Sequence, residues 1–258
     1  MALTKTQKEI DAMREGGQLL SRALKAAVDA VRPGITLPEL DVIATDVIRA
    51  GGGEPSFMGY RSHPDDEPFP TTMCISVNEE VVHGRGDRPI ALKEGDIVGL
   101  DIGLWLHGLC TDMAVTVPVG TVSEEATKLM AVTREACLAG ANAVHVGGLI
   151  SDVSHAVVAI VEPHGYGIVQ ALVGHGVGHK VHEGPHVPNY VDKRYPKVSV
   201  VEGMCLAIEP MLGIGTWEVE TAEDGWTVVM KDRKISAHFE VTIAVTKEGI
   251  EILTPLPV

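Results

Sequence analysis

The 258-residue sequence predicts an α+β fold in which two similar halves, each with two helices followed by strands, share one antiparallel sheet. Amphipathic helical patterns occur as two pairs, over about 4–50 and 123–161, and strand patterns follow each pair. Two of these strand runs, 97–104 and 110–117, are joined by a short turn and therefore pair antiparallel. Runs of helices followed by runs of strands favour an α+β domain over alternating βαβ units.

The first helix is predicted over 4–31, because apolar residues recur at helical spacing until the Pro33-Gly34 stop. Thr36 is expected to cap the second helix, and Glu39 completes a capping box with it. The glycines at 51–53 end this helix.

Residues 54–72 are predicted to form an irregular surface loop, because they contain several prolines and an acidic cluster at 65–67. Residues 74–82 then form a strand, a bend at Asn78 and a second strand or turn. His83 follows directly, and a structural role for it is the alternative to a functional one.

The hairpin at residues 96–118 places Asp101 and Asp112 on the same face of the sheet. With the turn centred on Leu106-His107, the two stand directly opposite each other, with Cβ atoms about 5 Å apart. Like charges placed in this way repel, burial strengthens the repulsion, and the hairpin contains no Lys or Arg. Glycines two residues to either side leave space beside Asp101. The stretch favours a multivalent cation between the carboxylates, and two solvated aspartates are the alternative.

The second half repeats the pattern of the first. A third helix is predicted over 123–146, capped by its first residue and ended by Gly147-Gly148. A fourth follows over 151–161, capped by Ser151 or Asp152.

Residues 173–190 contain four histidines among glycines and prolines, and they are predicted to form a loop that directs one or two imidazoles into a cleft. The zincin pattern at 182–186 is rejected, because that chemistry requires a helix and Gly184-Pro185 disfavours one. His179 and His186 are expected to be solvent-exposed.

Three further strands are predicted. One over 201–211 ends at Glu209-Pro210, because proline cannot donate to a sheet ladder. The others cover 226–231 and 236–246. In the last, alternation places Glu240 on the face opposite the apolar row, where a solvated glutamate is the alternative to a ligand.

Composition excludes several classes of function. A net charge of −14 argues against nucleic-acid binding and against an anionic membrane surface. Four cysteines without CxxC spacing fit a reducing cytoplasm. The N-terminal stretch resembles no signal peptide, and no apolar run approaches the length of a membrane span.

Four carboxylates and one imidazole stand out as possible metal ligands: Asp101, Asp112, His175, Glu209 and Glu240. Oxygen donors with one nitrogen suit Mn²⁺, Fe²⁺, Co²⁺ or Zn²⁺. Four negative charges match two divalent ions better than one, and two-metal sites of this type hold ions about 3.5–4 Å apart.

Five segments resemble type I methionine aminopeptidases, and the resemblance runs over nearly the whole chain. The order Asp, Asp eleven residues later, His, Glu, Glu belongs to the wider family that includes prolidase and creatinase. Within that wider family, the short motifs VxHG, GHGxG and DGWT narrow the resemblance to type I methionine aminopeptidases. The segments are SVNEEVVHG, GDIVGLDIGLWLHGLCTDMAV, GHGVGHKVHEGP, AIEPM and DGWTVVMKDRKISAHFEVTIAVT.

The resemblance implies the pita-bread fold, with two pseudo-symmetric halves and a curved antiparallel sheet covered by helices. It implies a single catalytic domain over 1–258, without a zinc-finger extension or a type II insert. Asp101 would hold the second metal ion, His175 and Glu209 the first, and Asp112 and Glu240 would bridge the two.

The resemblance also implies residues that contact the substrate. His83 and His182 would face it without binding metal, and Glu209 would shuttle a proton. The methionine side chain would enter a pocket formed by Phe57, Tyr60, Cys74 and Trp226. The sequence departs from many relatives at Phe57, Val173 and Val181 and in the length of the 61–72 loop.

The implied activity is removal of the N-terminal methionine from nascent proteins and peptides, with a preference for a small second residue. A hydroxide activated by two divalent ions (Co, Mn, Fe or Zn) would attack the first peptide bond. The implied protein is a cytoplasmic monomer that meets nascent polypeptide N-termini. Transient ribosome contact would need a local basic patch, which the sequence does not locate.

Two alternatives remain open. An Xaa-Pro peptidase or creatinase-like hydrolase has the same fold, but such enzymes normally carry an extra N-terminal domain. A binding protein that kept the fold is the other alternative, but relatives of that kind lose metal ligands.

Overall fold

A computed structural model describes residues 4–61, 63–65 and 67–258. The helices are α1 (Gln7–Ala30), α2 (Leu37–Ala50), α3 (Glu124–Asn142) and α4 (Ser151–Val161), followed by a 3₁₀ turn at Glu162–His164. The strands are β1 (Glu54–Pro55), β2 (Met73–Val77), β3 (Glu80–Val82), β4 (Ile97–Leu106), β5 (Leu109–Pro118), β6 (Gly167–Ile168), β7 (Gly174–Gly176), β8 (Glu183–Val187), β9 (Cys205–Ile208), β10 (Met211–Gly213), β11 (Val219–Thr221), β12 (Val228–Met230), β13 (Ser236–His238), β14 (Glu240–Thr246) and β15 (Gly249–Ile252).

Helices α1 and α2 both begin at capping boxes. The Thr6 side chain accepts the backbone N–H of Glu9, and the Glu9 carboxylate accepts the backbone N–H of Thr6 at 2.7 Å. Thr36 and Glu39 form the same arrangement at α2, as predicted. The first helix begins at residue 7 rather than Thr4, because the box at Thr6 satisfies the free N–H groups of its first turn.

The third helix is shorter than predicted. Ser123 caps it, but it ends at Asn142 rather than residue 146. The following segment pairs with 198–200 instead: Gly147 N–H donates to the carbonyl of Val200. Tertiary hydrogen bonds therefore replace the last helical turn.

The predicted cap of the fourth helix is wrong. The N-cap residue of α4 is Ile150, which makes no side-chain cap. Asp152 accepts the N–H of Leu149, upstream of the helix, at 2.8 Å. Among the described residues, no helix combines the length and apolar character that crossing a bilayer requires.

Nine antiparallel strands form the main sheet, in the order β1-β4-β5-β14-β9-β7-β8, with β2 on β4 and β15 on β14. In the first half α1 packs against β4 and β5, with α2 beside it. In the second half α3 packs against β9 and β14, with α4 beside it. Leu100, Ile102 and Ile243 face these helices within the main hydrophobic core, so the two helical layers leave the other face of the sheet for polar side chains.

The hairpin register corrects the predicted position of the two aspartates. The turn residues are His107 and Gly108, with φ of 53° and 77°. Two consecutive positive φ angles match a type I′ turn, which Gly108 favours. Asp112 consequently pairs with Gly103, and Asp101 pairs with Ala114. The two aspartates are therefore diagonal neighbours on one face rather than directly opposed.

Two smaller sheets, β13-β10-β6 and β11-β12-β3, flank the main one. The strand predicted over 236–246 is interrupted at Phe239, where the chain leaves β10 and joins β9 and β5. Thr116 stabilises this crossing, because its hydroxyl accepts the N–H of His238 and donates to the carbonyl of the same residue, both at 2.9 Å. The strands predicted over 201–211 and 226–231 are likewise shorter than expected.

Candidate metal centre and active site

Every site residue that the sequence predicts lies on the wall of one cavity of about 290 Å³. The predicted members are Phe57, Tyr60, Cys74, His83, Asp101, Asp112, His175, His182, Glu209, Trp226 and Glu240. The other lining residues are Phe69, Val82, Ala171, Leu172, Val173, His186, Met211 and His238. The structure thus brings the predicted set together, and the role of each residue stays a prediction.

The order of strands explains why the five possible metal ligands converge. Asp101 lies on β4 and Asp112 on β5, while Glu240 begins β14. Glu209 follows β9, and His175 is the central residue of β7. Since β4, β5, β14, β9 and β7 are consecutive neighbours in the sheet, each strand contributes one donor to the same face.

Three of the five donors are close enough together to hold one metal ion. One atom from each of Asp112, His175 and Glu240 lies within 4.8 Å of the other two. Nε2 of His175 is 3.3 Å from Oε1 of Glu209. Asp101 is 9% exposed, and Asp112 and Glu240 are each 3% exposed. The alternative of solvated carboxylates on an exposed sheet face is therefore wrong.

Burial raises the pKa of all four carboxyl groups. For Asp101 it raises the pKa from 3.8 to about 7. For Asp112 the pKa lies well above its usual range because of burial and then the Asp101 charge. Burial and the neighbouring aspartates do the same for Glu209 and Glu240. Without a cation, the centre favours protonated carboxyls.

The protonation state and the hydrogen bond of the His175 imidazole suit it to metal binding. Burial lowers its pKa to about 3, which keeps the imidazole neutral. Its Nδ1 is 2.9 Å from the carbonyl oxygen of Gly176, and a carbonyl can only accept, so Nδ1 carries the proton. Nε2 is then left with a free lone pair toward the carboxylates.

Among the described residues that line the cavity, three buried carboxylate oxygens have no hydrogen-bond partner: Asp101 Oδ1, Asp112 Oδ1 and Glu240 Oε1. Buried oxygens of this kind are costly unless they bind a proton or a cation. No Lys or Arg of the described residues forms an ion pair with them. Carboxylate oxygens and one imidazole nitrogen fit divalent ions such as Mn²⁺, Fe²⁺, Co²⁺ or Zn²⁺.

Two further histidines face the cavity from outside the ligand set. Burial, with a smaller effect of His182, lowers the pKa of His83 to about 4. His182 lies at the cavity mouth, where its ring meets that of His175 edge-on, with centroids 4.4 Å apart. Its Nδ1 is 2.9 Å from the hydroxyl of Tyr60. Both imidazoles therefore offer nitrogen atoms that can donate or accept hydrogen bonds at the cavity wall.

An aromatic pocket adjoins the carboxylates. Phe69 and Trp226 meet edge-to-face with ring centroids 5.2 Å apart, in the same apolar cluster as Phe57 and Cys74. Sequence reasoning missed Phe69, because residues 54–72 were expected to be a solvated loop. The signal was an aromatic residue between two prolines in an otherwise polar segment.

The acidic part of that loop remains at the surface. Asp65 and Glu67 are exposed, and Asp66 lies outside the described residues. The loop is closed at its base, where Phe69 N–H donates to the carbonyl of Tyr60 at 2.8 Å. The surface-loop prediction is thus right for Asp65 and Glu67 and wrong at Phe69, which is buried.

His238 and His179 also differ from expectation. His238 is 3% exposed, and its Nε2 has no partner in the described chain and lies 4.0 Å from Oε2 of Glu240. Strand alternation had placed it on the same face as Glu240, a signal that could have identified it. His179 was expected to be exposed, but its side chain is 28% exposed and bonds Glu9 at 2.8 Å. His186 is exposed, as expected, at the cavity rim.

Comparisons with known proteins agree with this geometry. The profile of metallopeptidase family M24 matches residues 11–247. The chain is 45% identical to a methionine aminopeptidase of Clostridium perfringens over 255 residues, covering 98% of this chain and 99% of that protein. It is 42% identical to methionine aminopeptidase 1 of Bacillus subtilis over 256 residues, covering 98% and 99%.

Solved structures show the same fold. The crystal structure of methionine aminopeptidase from Thermotoga maritima superimposes with a TM-score of 0.92 at 39% identity, covering 97% of this chain and 98% of that one. Prolidase from Pyrococcus furiosus gives a TM-score of 0.77 at 20% identity, covering 98% of this chain and 65% of that one, a likeness of fold alone. The predicted pita-bread α+β fold is confirmed.

Proposed function

This chain belongs to metallopeptidase family M24, and we propose that it removes the N-terminal methionine from proteins and peptides with the help of two divalent metal ions. The observation that carries the proposal is the convergence of five donors from five adjacent strands beside an aromatic pocket. Near full-length similarity to methionine aminopeptidases supports the substrate class.

Asp101, Asp112, His175, Glu209 and Glu240 would hold the ions. Four carboxylates balance the charge of two divalent ions and exceed that of one, which supports a dinuclear centre. When bound, the ions supply Lewis acidity and make a water molecule acidic enough to serve as a nucleophile at neutral pH.

The remaining steps are assigned to residues of the chain. His182 donates a hydrogen bond to the oxygen of the first peptide carbonyl as negative charge develops there. Glu209, within 3.3 Å of His175, accepts a proton from the attacking water and passes it to the leaving amine. His83 lies on the same cavity wall, and its proposed role is to assist at the scissile nitrogen.

The aromatic pocket accounts for the choice of methionine. Phe57, Phe69 and Trp226 offer ring edges and faces to a thioether, a favourable contact for sulfur. The free α-amino group binds beside the carboxylates, which excludes internal peptide bonds. The proposal includes a preference for a small second residue, as the sequence resemblance implies.

Nascent polypeptide N-termini are the proposed partners of a cytoplasmic monomer, with transient contact at the ribosome. Four free, buried cysteines fit a reducing compartment. The charge of −14 supports the absence of direct nucleic-acid binding.

The test is hydrolysis of Met-Ala-Xaa, Met-Leu-Xaa and Ala-Pro peptides by protein that is first stripped with a chelator and then given single ions. We expect Met-Ala-Xaa to be cleaved after its first residue, Met-Leu-Xaa to be cleaved poorly, and activity to depend on the added ion. Preferential cleavage of Ala-Pro would instead identify an Xaa-Pro peptidase. No cleavage of any peptide with any ion would favour a binding protein.

A further inference from the structure

The hydroxyl of Tyr60 makes a contact that the methionine pocket does not require. It lies 2.9 Å from Nδ1 of His182, and the two rings meet edge-on with centroids 5.4 Å apart. His182 is held on its other side by the ring of His175. The imidazole is therefore fixed both in rotation and in the atom that faces Tyr60.

The direction of this hydrogen bond decides what His182 can do. A neutral imidazole carries one proton on one of its two nitrogens, and the 2.9 Å contact between the Tyr60 hydroxyl and Nδ1 of His182 can run in either direction. If the phenol donates to Nδ1, the proton lies on Nε2, which projects from the opposite side of the ring. If Nδ1 donates to the phenol, Nε2 presents a lone pair that repels a carbonyl oxygen.

We propose that Tyr60 is a positioning residue, whose hydroxyl donates to Nδ1 of His182 and thereby keeps the proton on the Nε2 that faces the substrate. The inference rests on the proposed function, because Nε2–H is useful only if an oxyanion forms in front of it. It adds to the aromatic pocket role of Tyr60 a second role exerted through another residue.

The backbone around Tyr60 connects this bond to methionine recognition. Tyr60 N–H donates to the carbonyl of Phe57, and Phe69 N–H donates to the carbonyl of Tyr60, both at 2.8 Å. Phe57 and Phe69 both line the cavity. A methionine side chain that packs against these rings therefore stabilises the loop conformation that holds the hydroxyl on His182, so part of the selectivity for methionine is expressed in kcat.

The main experiment is Tyr60→Phe, which keeps the ring and removes only the hydroxyl. We expect kcat on Met-Ala-Xaa to fall about tenfold with little change in KM and with unchanged metal content, as for loss of one hydrogen bond in the transition state. In a His182→Ala background, Tyr60→Phe should cause no further loss. Tyr166→Phe, at a half-buried tyrosine outside the cavity, is the matched control and should leave kcat unchanged.

A measurement without turnover tests the same proposal. The ¹⁵N resonances of His182 in metal-free protein report which ring nitrogen is protonated. We expect the Nε2–H form in the original protein and a shift toward the Nδ1–H form in Tyr60→Phe.

The inference is overturned if the original protein already holds the Nδ1–H form, or if Tyr60→Phe lowers kcat equally with and without His182. Should Tyr60→Phe fail to fold, the resonances of the original protein alone decide. Failure of the proposed function looks different: the original protein then cleaves no Met peptide with any ion, while the His182 resonances still report the tautomer.

Discussion

At the scale of single residues, the carboxylate oxygens of Asp101, Asp112 and Glu240 that lack hydrogen-bond partners explain why this site favours cation binding. Each lies in a buried environment without a donor in the described chain, and each carboxyl has a raised pKa. The fold therefore buries these carboxyl groups where ionisation without a nearby cation is energetically unfavourable. A divalent ion relieves both the lost hydration and the mutual repulsion.

His175→Ala tests the ligand assignment. Because His175 is the one nitrogen donor of the set, its loss should lower bound metal below that of the original protein and reduce kcat/KM about 100-fold or more. Metal analysis beside Met-Ala-Xaa hydrolysis measures both. His155→Ala, on the exposed surface of α4, is the control and should change neither. Full metal content with full activity in His175→Ala would remove this residue from the site.

His182→Ala separates catalysis from metal binding. His182 contacts His175 but contributes none of the three donor atoms that cluster within 4.8 Å, so metal content should be preserved. Loss of a hydrogen-bond donor to the oxyanion should lower kcat about 100-fold. Metal loss in this variant would show that His182 is a ligand rather than a donor to substrate.

Residue-level prediction from sequence succeeded where alternation was enough and failed where contacts were long-range. The face of Asp101, Asp112 and Glu240 follows from period-two patterning alone. The relative position of Asp101 and Asp112 does not follow from this pattern, because it depends on a turn that lies one residue later than expected. Phe69 was missed since its burial comes from Trp226, more than 150 residues away.

At the scale of elements, the start of α1 supports the histidine-rich loop. Glu9 belongs to the capping box of α1, and its other oxygen bonds Nε2 of His179 at 2.8 Å. Lys5, just before the helix, pairs with Glu183 at the start of β8. These two contacts flank His182, so the beginning of α1 helps to fix the segment that carries it.

Glu9→Gln should weaken this junction in a pH-dependent manner. The bond to His179, followed by those to Thr6, lowers the pKa of Glu9 from 4.5 to about 2. A lowered folded-state pKa stabilises the protein above pH 4.5, and this contribution is lost as pH falls from 4.5 toward 2. Because the Glu9 side chain is 32% exposed and solvent screens its charge, about 0.5 kcal/mol is expected at pH 7.

Urea unfolding of Glu9→Gln and the original protein at several pH values measures this difference. It should be largest near neutral pH and disappear toward pH 2. Glu39→Gln, which breaks the matching box of α2, is the control because Glu39 has no histidine partner there among the described residues. A difference that stays constant with pH would contradict an ionic role for Glu9.

Element boundaries could be predicted from sequence where local chemistry sets them. The Thr36 box and the Ser123 cap mark helix starts because their hydrogen bonds lie within four residues. The end of α3 and the interruption at Phe239 depend on partners at Val200 and Thr116 that no local pattern reveals. Local rules thus predict how elements begin better than how they end.

At the scale of the whole molecule, the proposed metal centre belongs to neither half alone. The first half supplies Asp101 and Asp112, and the second supplies His175, Glu209 and Glu240. The halves join where Glu240 of β14 pairs with Ala114 of β5. Periodicity could indicate each donor's face, but only this long-range pairing brings all five together. Sequence resemblance supplied that information because it reflects the complete fold.

Metal removal should therefore change the pH dependence of stability for the entire chain. In the metal-free protein the four carboxyl groups have raised folded-state pKa values, about 7 for Asp101. The folded state then retains protons that the unfolded chain loses near pH 4, so these groups lose their favourable contribution as pH rises above about 4, and Asp101 loses its own as pH passes about 7. Ions bind the deprotonated carboxylates, so stabilisation by metal should increase over the same range.

Buried histidines act in the opposite direction, which makes the difference between metal-bound and metal-free protein the informative quantity. Burial lowers the pKa of His83 to about 4 and that of His238 to about 3, so their contribution is lost as pH falls below 6.5. Because these two groups are present in both forms and are not assigned as ligands, their effect largely cancels in the difference. The pH dependence that remains in this stability difference reports the titration of the four carboxyl groups and of His175.

Thermal unfolding at pH 5, 6, 7 and 8, with chelator or with a single ion in excess, measures this difference. At an ion concentration about 100 times the Kd, the ion should stabilise the folded chain by about 2.7 kcal/mol, a rise in Tm of roughly 5–10 °C for a protein of this size. The rise should be smallest at pH 5, where protons compete for the same oxygens. A rise independent of pH would mean that the ions bind groups other than the buried carboxylates, and the metal centre would have to be placed elsewhere.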